Sequence, residues 1–175
     1  MSDDLSMIAR LWLPGDPIPY DEMRALLGLP DVLPTDWPFP ARDRLYTGIT
    51  HGIPWCIYAS PLGCSLNGYA RIPDGVAIDV GELDVHGGIT YGCGICEGGW
   101  IGFDTTHGGD WWDLDELRGR VGMHVTAGGA EYNRFEREMA ERFPEVSRHW
   151  TVDRIIAECR SLAVQIDERN RACRS

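Results

Sequence analysis

The stretch that decides the fold is WCIYASPLGCSLNGYARIPDGVAIDVGELDVHGGITYGCGICEGGWIGFD, residues 55–104. Its short runs of β-branched and aromatic residues alternate with Gly, Pro, Asn and Asp, a pattern typical of strands joined by tight turns. The gaps between the runs are too short for crossover helices, so the sequence predicts a small, mostly antiparallel sheet. We predict turns at Asn67-Gly68 and at Pro73-Asp74-Gly75. The predicted strand segments are Trp55–Tyr58, Tyr69–Ile72, Val76–Val80, Gly88–Tyr91 and Trp100–Phe103.

The chain that precedes this stretch is rich in proline. Seven of the eleven prolines lie within residues 14–40, which leaves room for one short helix, over Tyr20–Leu27. We expect this Pro-rich arm to wrap the outside of the core, with Trp12, Trp37 and Phe39 as its anchors.

The chain that follows is helical in pattern. Ala130–Arg142 is amphipathic, and Thr151 can cap a further helix. The apolar residues of that helix fall on one face, which indicates core packing: Ile155, Cys159, Leu162 and Ile166.

We therefore predict an α+β fold in a single domain over residues 1–175. It consists of a Pro-rich arm with one short helix over 1–50, a β-rich core with the candidate site over 51–113, and a helical part over 114–175. The chain has 43% hydrophobic residues and seven Trp, enough to bury a core.

The net charge narrows the classes of partner. It is −11 at neutral pH, and all 16 basic residues are arginine. A negative field of this size repels nucleic-acid backbones and anionic lipids, so we expect neither nucleic acid nor membrane as a direct partner. No run approaches the about 20 apolar residues of a membrane span, and the first residues, MSDD, lack the features of a signal peptide. We expect a cytoplasmic protein.

The six cysteines are expected to stay reduced in that compartment. Four of them are expected to be small apolar fillers or inert surface thiols: Cys56, Cys64, Cys159 and Cys173. Cys93 and Cys96 have C-x-x-C spacing, but a structural zinc site normally needs four ligands. His51 with Cys56 or Cys64 could complete one, although a Gly-rich hairpin tip without metal is the favoured interpretation.

Glycine, histidine and aspartate collect in one window. Ten of the 21 glycines lie between residues 81 and 109, and glycine lets a backbone approach a ligand closely. The same window contains two His-Gly-Gly triplets, at 86–88 and 107–109. On a strand, Asp84 and His86 would share a face. Asp104, His107 and Asp110 are spaced by three and would converge only in a tight loop or helical turn. We predict one site from Asp84, His86, Asp104, His107 and Asp110.

Two chemistries would use these five residues. In the first, they hold a divalent metal such as Zn, Mn or Fe that activates water. In the second, His86, His107 and Asp104 act as catalytic acid–base residues without metal, while glycine N–H groups cradle an anion. The alternative is that the histidines hydrogen-bond to backbone in Gly-rich turns and the aspartates cap loops. The matched His-Gly-Gly triplets favour a functional pocket.

Aromatic and basic residues near this window could line such a pocket. Trp111 and Trp112 are adjacent and point apart, so one of them is a candidate pocket wall. Arg118 or Arg120 could pair with a phosphate, although surface ion pairs are the ordinary expectation. The predicted ligand contacts are Arg71, Gly87, Gly88, Tyr91, Gly108, Gly109 and Trp111.

Four segments together resemble a family of small phage and prophage proteins with no assigned activity. The segments are Leu66–Gly75, Asp84–Tyr91, Trp100–Asp110 and Trp150–Cys159, and the resemblance covers roughly residues 55–166. Relatives have a longer stretch between the first two segments, and Ala-Gly after the second histidine. The resemblance implies an accessory protein of a phage, acting in the host cytoplasm, and by analogy a counter-defence factor directed at nucleotide second messengers.

Three hypotheses follow. The first is a pocket protein that binds and sequesters a small anionic, nucleotide-like signalling ligand, and the second is a metal-assisted or His/Asp hydrolase of such a ligand. The third is an acidic protein–protein inhibitor that mimics nucleic acid. Clustered Gly, His and aromatic residues favour the pocket hypotheses. A homodimer that builds the pocket between two chains is also compatible with a protein of this size.

Overall fold

The main sheet has four antiparallel strands, in the order β1 to β4. In this computed structural model, which describes residues 33–41, 44–92 and 94–174, they are Arg44–Thr50, Ile53–Ala59, Leu66–Asp79 and Ile95–Phe103. With helices packed against it, this sheet confirms the predicted α+β class. The predicted helix over Tyr20–Leu27, Trp12 and Cys93 lie outside the described residues.

The prediction of a turn at Asn67-Gly68 is wrong. Both residues lie inside β3, where Asn67 pairs with Tyr58 and Gly68 with Ile57. The turn comes earlier, over residues 60–65, and is closed by hydrogen bonds between Ser60 and Ser65 and between Ser60 and Gly63. Gly68 has a different role: a Cβ there would meet Phe103 and Cys159, so glycine lets β4 and a helix pack tightly on β3.

Pro73-Asp74-Gly75 bends a strand instead of ending it. The segments predicted as Tyr69–Ile72 and Val76–Val80 form the two halves of β3, and the pairing register with β4 shifts between Ile72 and Ala77. Gly75 lies at this irregularity with a φ of +76°, a conformation that favours glycine. One long bulged strand therefore replaces two short ones.

Gly88–Tyr91 is a loop and not the predicted strand. Gly87 and Gly88 have φ of +71° and +81°, which no regular strand adopts. Only Tyr91 is bridged, to Gly102 of β4. β1, in contrast, was not predicted; its residues are mostly half-buried, and its sequence RLYTGIT lacks the regular apolar alternation that marks a strand.

A second, two-stranded parallel sheet also escaped prediction. β5 (Asp110–Trp112) pairs with β6 (Arg148–Trp150) in the register Asp110 to Arg148, Trp111 to His149 and Trp112 to Trp150. Parallel strands need a long crossover, which here contains helices α1, Leu114–Gly119, and α2, Ala127–Arg142. Short 3-10 turns occupy Val80–Glu82 and Pro144–Val146.

The last helix, α3, spans Val152–Arg174 and packs against β2 and β3. The predicted apolar face is confirmed, because Ile155, Cys159, Leu162 and Ile166 are completely buried. The predicted cap is confirmed as well: the Thr151 hydroxyl accepts a hydrogen bond from the Arg154 N–H at 3.2 Å. Among the described residues, no helix is long and apolar enough to span a bilayer.

Residues of the Pro-rich arm that the structure describes do anchor on the sheet. Trp37 stacks on Trp100 of β4 at 5.4 Å between ring centroids. Phe39 makes edge contacts with three tyrosines of the sheet and its adjoining loop: Tyr58, Tyr69 and Tyr91.

The described cysteines form no disulfide with one another. Cys56, Cys64 and Cys159 are buried, and burial raises the pKa of each thiol, that of Cys56 to about 12. A thiol with a raised pKa is a poor nucleophile and a poor metal ligand, which agrees with their predicted role as apolar fillers. Cys173 is exposed.

Candidate functional site

Two predicted histidines meet around one buried carboxylate. Asp110 opens β5, His107 lies three residues before it in the preceding turn, and His86 reaches it from the loop that follows the Val80–Glu82 turn. Nε2 of His86 lies 2.8 Å from Oδ1 of Asp110, and Nδ1 of His107 lies 3.3 Å from Oδ2. We call His86, His107 and Asp110 the His/Asp centre.

Asp110 is the buried carboxylate that both histidines of this centre contact. Its side chain is 1% exposed, so its charge must be compensated by hydrogen bonds. The main-chain N–H of His107 donates to Oδ2 at 3.0 Å, in addition to the contacts of the two imidazoles. The expectation that residues spaced by three converge in a tight loop is therefore met for His107 and Asp110, whose main chains also close a turn.

His86 is held from both sides. Its Nδ1 lies 3.0 Å from Nη1 of Arg148, on β6, and its main-chain N–H donates to Oε1 of Glu158 at 2.7 Å. Oε2 of the same glutamate lies 3.3 Å from Nη2 of Arg148. The guanidinium also lies over the Trp150 ring, 4.4 Å from its centroid. Glu158 on α3 and the buried Trp150 thus fix the orientation in which Arg148 contacts His86.

His107 presents the exposed edge of the centre. Its side chain is 34% exposed, and no described residue hydrogen-bonds to its Nε2. Gly87 packs against the part of the ring that carries Cε1 and Nε2, and a Cβ at this glycine would lie 2.3 Å from Nε2. Gly88 and Gly108 border open space. The absence of a side chain at Gly87 thus leaves room for a water or small ligand beside Nε2.

Asp104 lies beside the centre, 3.8 Å from Nδ1 of His107. Burial would raise the pKa of its carboxyl group. Hydrogen bonds from Thr106 and Thr90, together with His107, outweigh that effect and hold the pKa below its usual range. Because its oxygen Oδ1 accepts from both the N–H and the hydroxyl of Thr106, Asp104 mainly stabilises the turn.

Helix α2 holds this turn from the opposite side. Glu136 accepts a hydrogen bond from the Gly109 N–H at 2.7 Å, and the Tyr132 hydroxyl donates to the Thr106 carbonyl at 3.2 Å. Burial and the adjacent Glu136 raise the pKa of Tyr132 to about 12, so it stays a donor. Gly109, at φ +91°, allows close contact with Val146, where a Cβ would meet the carbonyl oxygen.

Three predicted site residues lie elsewhere. Asp84 is exposed, and its main-chain N–H and carbonyl pair with the Gln165 side chain on α3. Tyr91 belongs to the aromatic cluster around Phe39. Arg71 pairs with Asp36 and Asp74 on the sheet. The structure does not bring any of the three into contact with the His/Asp centre.

Trp111 lines a separate cleft. Its ring stacks on His149 of β6, with centroids 3.8 Å apart and planes 7° apart, and the Arg137 guanidinium lies 5.5 Å from its centroid. These residues border a cleft of about 420 Å³ that also includes Arg118 and Arg134. We call this the Trp111 cleft. The interpretation of Trp111 as a pocket wall thus has a geometric counterpart, whereas Trp112 is buried in the core.

The Trp111 cleft is lined by three arginines and two aspartates: Arg118, Arg134, Arg137, Asp113 and Asp115. Arg118 pairs with Asp115 at 3.1 Å, and Arg134 lies 4.0 Å from two glutamates, all at exposed positions where such pairs are weak. Arg137 forms no ion pair with any described residue. It is therefore available to an anion.

His149 is the second ring of the cleft. Burial and the nearby Arg154 lower its pKa, so the imidazole is neutral at pH 7 despite Asp113 and Glu116 in the vicinity. Its Nε2 is enclosed and has no hydrogen-bond partner among the described residues. Sequence reasoning missed His149 and Arg148, because neither belongs to a recognisable motif; only a Trp-flanked His in a short β-prone run hinted at them.

The His/Asp centre can perform two kinds of chemistry. Around one ion with bonds of about 2.1 Å, neighbouring ligand atoms are about 3.0–3.4 Å apart. The three donor atoms of the centre all lie within 4.8 Å of one another, so the distances alone are compatible with a divalent metal. They are equally those of a hydrogen-bonded His–Asp pair that transfers protons. Comparison with protein-family models, with curated proteins and with solved structures finds no match to this chain.

Proposed function

We propose that the protein binds and sequesters a small anionic, nucleotide-like ligand, and that the Trp111 cleft is its binding surface. The observation that carries this proposal is the position of Arg137, whose guanidinium lies over the Trp111 ring without an ion-pair partner among the described residues. An aromatic ring next to a free guanidinium suits a ligand that combines a planar ring with a negative charge.

Size and chemistry support this ligand class. Pockets for small ligands typically measure about 300–1,000 Å³, and the cleft of about 420 Å³ falls in this range. Stacking of a base on an aromatic side chain contributes about 1–3 kcal/mol. Arg118 and Arg134, whose present partners are exposed carboxylates, can turn to a phosphate at little cost.

The biological setting belongs to the same proposal. The resemblance to small phage proteins implies a protein that acts in the cytoplasm of an infected host. A sequestering protein would there withdraw a nucleotide signal from a defence system, an inference by analogy. A homodimer is compatible with this role, and the cleft as described lies within one chain.

The acidic segment argues against nucleic-acid mimicry. Of the carboxylates between residues 110 and 116, Asp110 is buried and Asp113 caps α1 through the N–H groups of the next turn. Asp115 and Glu116 pair with arginines, at 3.1 and 3.0 Å. Each of these four carboxylates thus has a hydrogen-bond or ion-pair partner within the chain.

A hydrolase is the second candidate, favoured by the free Nε2 of His107 beside a buried carboxylate. This arrangement suits a general base that activates water against a phosphoester or an amide. Asp110 and Trp111 are adjacent in β5, so the His/Asp centre and the Trp111 cleft lie on opposite faces of the two-stranded β5–β6 sheet, here called the ribbon. A ligand in the cleft would therefore be held apart from the centre, which favours sequestration over cleavage of that ligand.

The test is an uptake experiment with a panel of cyclic and ADP-ribose-type nucleotides. The purified protein is incubated with each compound, with and without chelator, and then denatured by heat. Intact nucleotide that is removed and then returned supports sequestration, whereas altered nucleotide supports the hydrolase. If no compound is taken up or changed, the proposed function is wrong and the acidic-inhibitor hypothesis gains weight.

Two variants assign the result to a site. Arg137→Gln should reduce uptake at least tenfold, because it removes the guanidinium from the Trp111 cleft. His107 lies in the turn before β5, contacts Asp110 and does not line the Trp111 cleft, so His107→Ala should leave uptake unchanged. Any cleavage of the nucleotide, in contrast, should be lost in His107→Ala and unchanged in Arg137→Gln.

A further inference from the structure

The contact between Arg148 and His86 decides which chemistry the His/Asp centre supports. Nη1 of Arg148 lies 3.0 Å from Nδ1 of His86. A guanidinium has five N–H donors and no acceptor, so the imidazole nitrogen that faces it must accept. Nδ1 of His86 therefore carries no proton.

The position of the single ring N–H of His86 follows. A neutral imidazole has one N–H, which must then be at Nε2, 2.8–2.9 Å from the oxygens of Asp110. A metal at this centre would need the lone pair of that same Nε2, and the displaced proton would have to go to Nδ1. The guanidinium prevents this, because two N–H groups would then face each other.

The charge of Arg148 acts in the same direction. Its guanidinium is fixed by Glu158 at 3.3 Å and by stacking over Trp150 at 4.4 Å, so it cannot easily turn away. A divalent cation between His86 and Asp110 would stand on the order of 6 Å from this positive group and would be repelled. The donor distances permit a metal, but the neighbour of His86 opposes it.

We propose that the His/Asp centre is a metal-free proton-transfer centre in which Arg148 is a positioning residue. Arg148 fixes the Nε2–H form of His86, this N–H donates to Asp110, and Asp110 in turn orients His107. The N–H at Nδ1 of His107 donates to the carboxylate, and Nε2 of His107 is left as the base. This inference deepens the second candidate function and is independent of ligand binding in the Trp111 cleft.

The proton balance of a hydrolytic step is simple. Nε2 of His107 accepts a proton from water as the water oxygen bonds to the phosphorus or carbonyl carbon. The bond to the leaving oxygen or nitrogen breaks, and the imidazolium returns the proton to that atom. Asp110 remains ionised throughout and stabilises the transient positive charge, as in other His–carboxylate pairs.

The first test is the tautomeric state of the wild-type protein. Two-bond ¹⁵N–¹H NMR correlations, assigned with His86→Gln and His107→Gln, distinguish Nε2–H from Nδ1–H imidazoles. We expect His86 as Nε2–H and His107 as Nδ1–H at pH 7.5. An Nδ1–H signal for His86 would overturn the proposal.

The second test is zinc titration by calorimetry. We expect no stoichiometric Zn²⁺ binding that depends on His86 and His107 in wild-type protein; tight binding that either variant abolishes would overturn the proposal. Arg148→Met frees Nδ1 to carry the proton and should strengthen zinc binding at the centre at least tenfold, with the gain lost in Arg148→Met/His107→Gln. If Arg148→Met folds and gains no affinity, Arg148 does not exclude the metal.

The wild-type measurements need no variant at Arg148, so the proposal stays testable if Arg148→Met fails to fold. The outcome is also separate from nucleotide uptake. A wild-type protein that takes up no nucleotide can still show the expected tautomers, and one that sequesters nucleotide can still prove to bind zinc. Failure of the proposed function and failure of this inference are thus distinguishable.

Discussion

Asp110 and Trp111 are consecutive residues of one short strand, yet they belong to two different sites. The carboxylate of Asp110 is buried between His86 and His107, while the Trp111 ring stacks on His149 on the other face of the ribbon. Side chains of consecutive strand residues point in opposite directions, so the separation is a direct consequence of β geometry. A single strand therefore connects the Trp111 cleft to the His/Asp centre.

Replacement of Trp111 tests the cleft. Trp111→Leu removes the stacking surface, which is worth about 1–3 kcal/mol per base, and should weaken nucleotide uptake about 5- to 150-fold. The free energy of unfolding should change little, since the ring is only half-buried. Equilibrium dialysis gives the affinity, and Trp100→Leu, on the main sheet, is the matched control; equal loss in both variants would speak against a specific role for Trp111.

The two adjacent glycines beside His107 offer a matched pair. Gly87→Ala places a methyl group in the His107 imidazole and strains a φ of +71°, so we expect a loss of about 1–3 kcal/mol in unfolding free energy and a displaced imidazole. Gly88→Ala meets open space and has only the backbone strain of its φ of +81°, about 1–2 kcal/mol. Chemical denaturation and the His107 NMR signals report the two effects. Unchanged His107 signals in Gly87→Ala would contradict the described packing.

Asp110→Asn tests the hydrogen bonds at the buried carboxylate. An amide NH₂ cannot accept, so at least one of the N–H groups that converge on Asp110 loses its partner, at about 1–3 kcal/mol in stability. Asp113→Asn is the control, because Asn caps a helix as well as Asp does. Denaturant unfolding should separate the two variants clearly; equal stabilities would mean that Asp110 is not the acceptor described.

The pH dependence of stability should contain a contribution from His149. Its folded pKa is lowered, chiefly by burial, below the ordinary value of 6.5. The neutral form is therefore favoured by folding, and this stability is fully present above pH 6.5 and lost as the pH falls from 6.5 through the folded pKa. Unfolding free energies between pH 5 and 8 should fall less steeply on acidification in His149→Gln than in wild-type protein; parallel curves would contradict the assignment.

The sequence predicts what depends on local pattern. The apolar spacing from Ile155 to Ile166 predicted α3 correctly, because residues three and four apart lie on the same face of a helix. The spacing of His107 and Asp110 likewise indicated a tight turn. The short gaps between the strand runs predicted antiparallel pairing in the main sheet.

The features that sequence reasoning missed depend on distant contacts. Asn67-Gly68 matches the strongest hairpin signal, but the glycine is needed for the approach of Phe103 and Cys159, which local sequence cannot reveal. β5 and β6 are three residues each and pair across two helices. That pairing brings Arg148 to His86 and His149 to Trp111, so the partners that define both sites came only with the fold.

The most direct test of the central claim is the dissociation constant of the best-bound nucleotide for wild-type protein, Arg137→Gln and His107→Ala, measured side by side by calorimetry. We expect stoichiometric binding to the wild type, equal affinity in His107→Ala and at least tenfold weaker binding in Arg137→Gln. Affinity that falls in His107→Ala and persists in Arg137→Gln would place the ligand at the His/Asp centre and contradict the account. Absence of nucleotide binding to the wild type would contradict it as well.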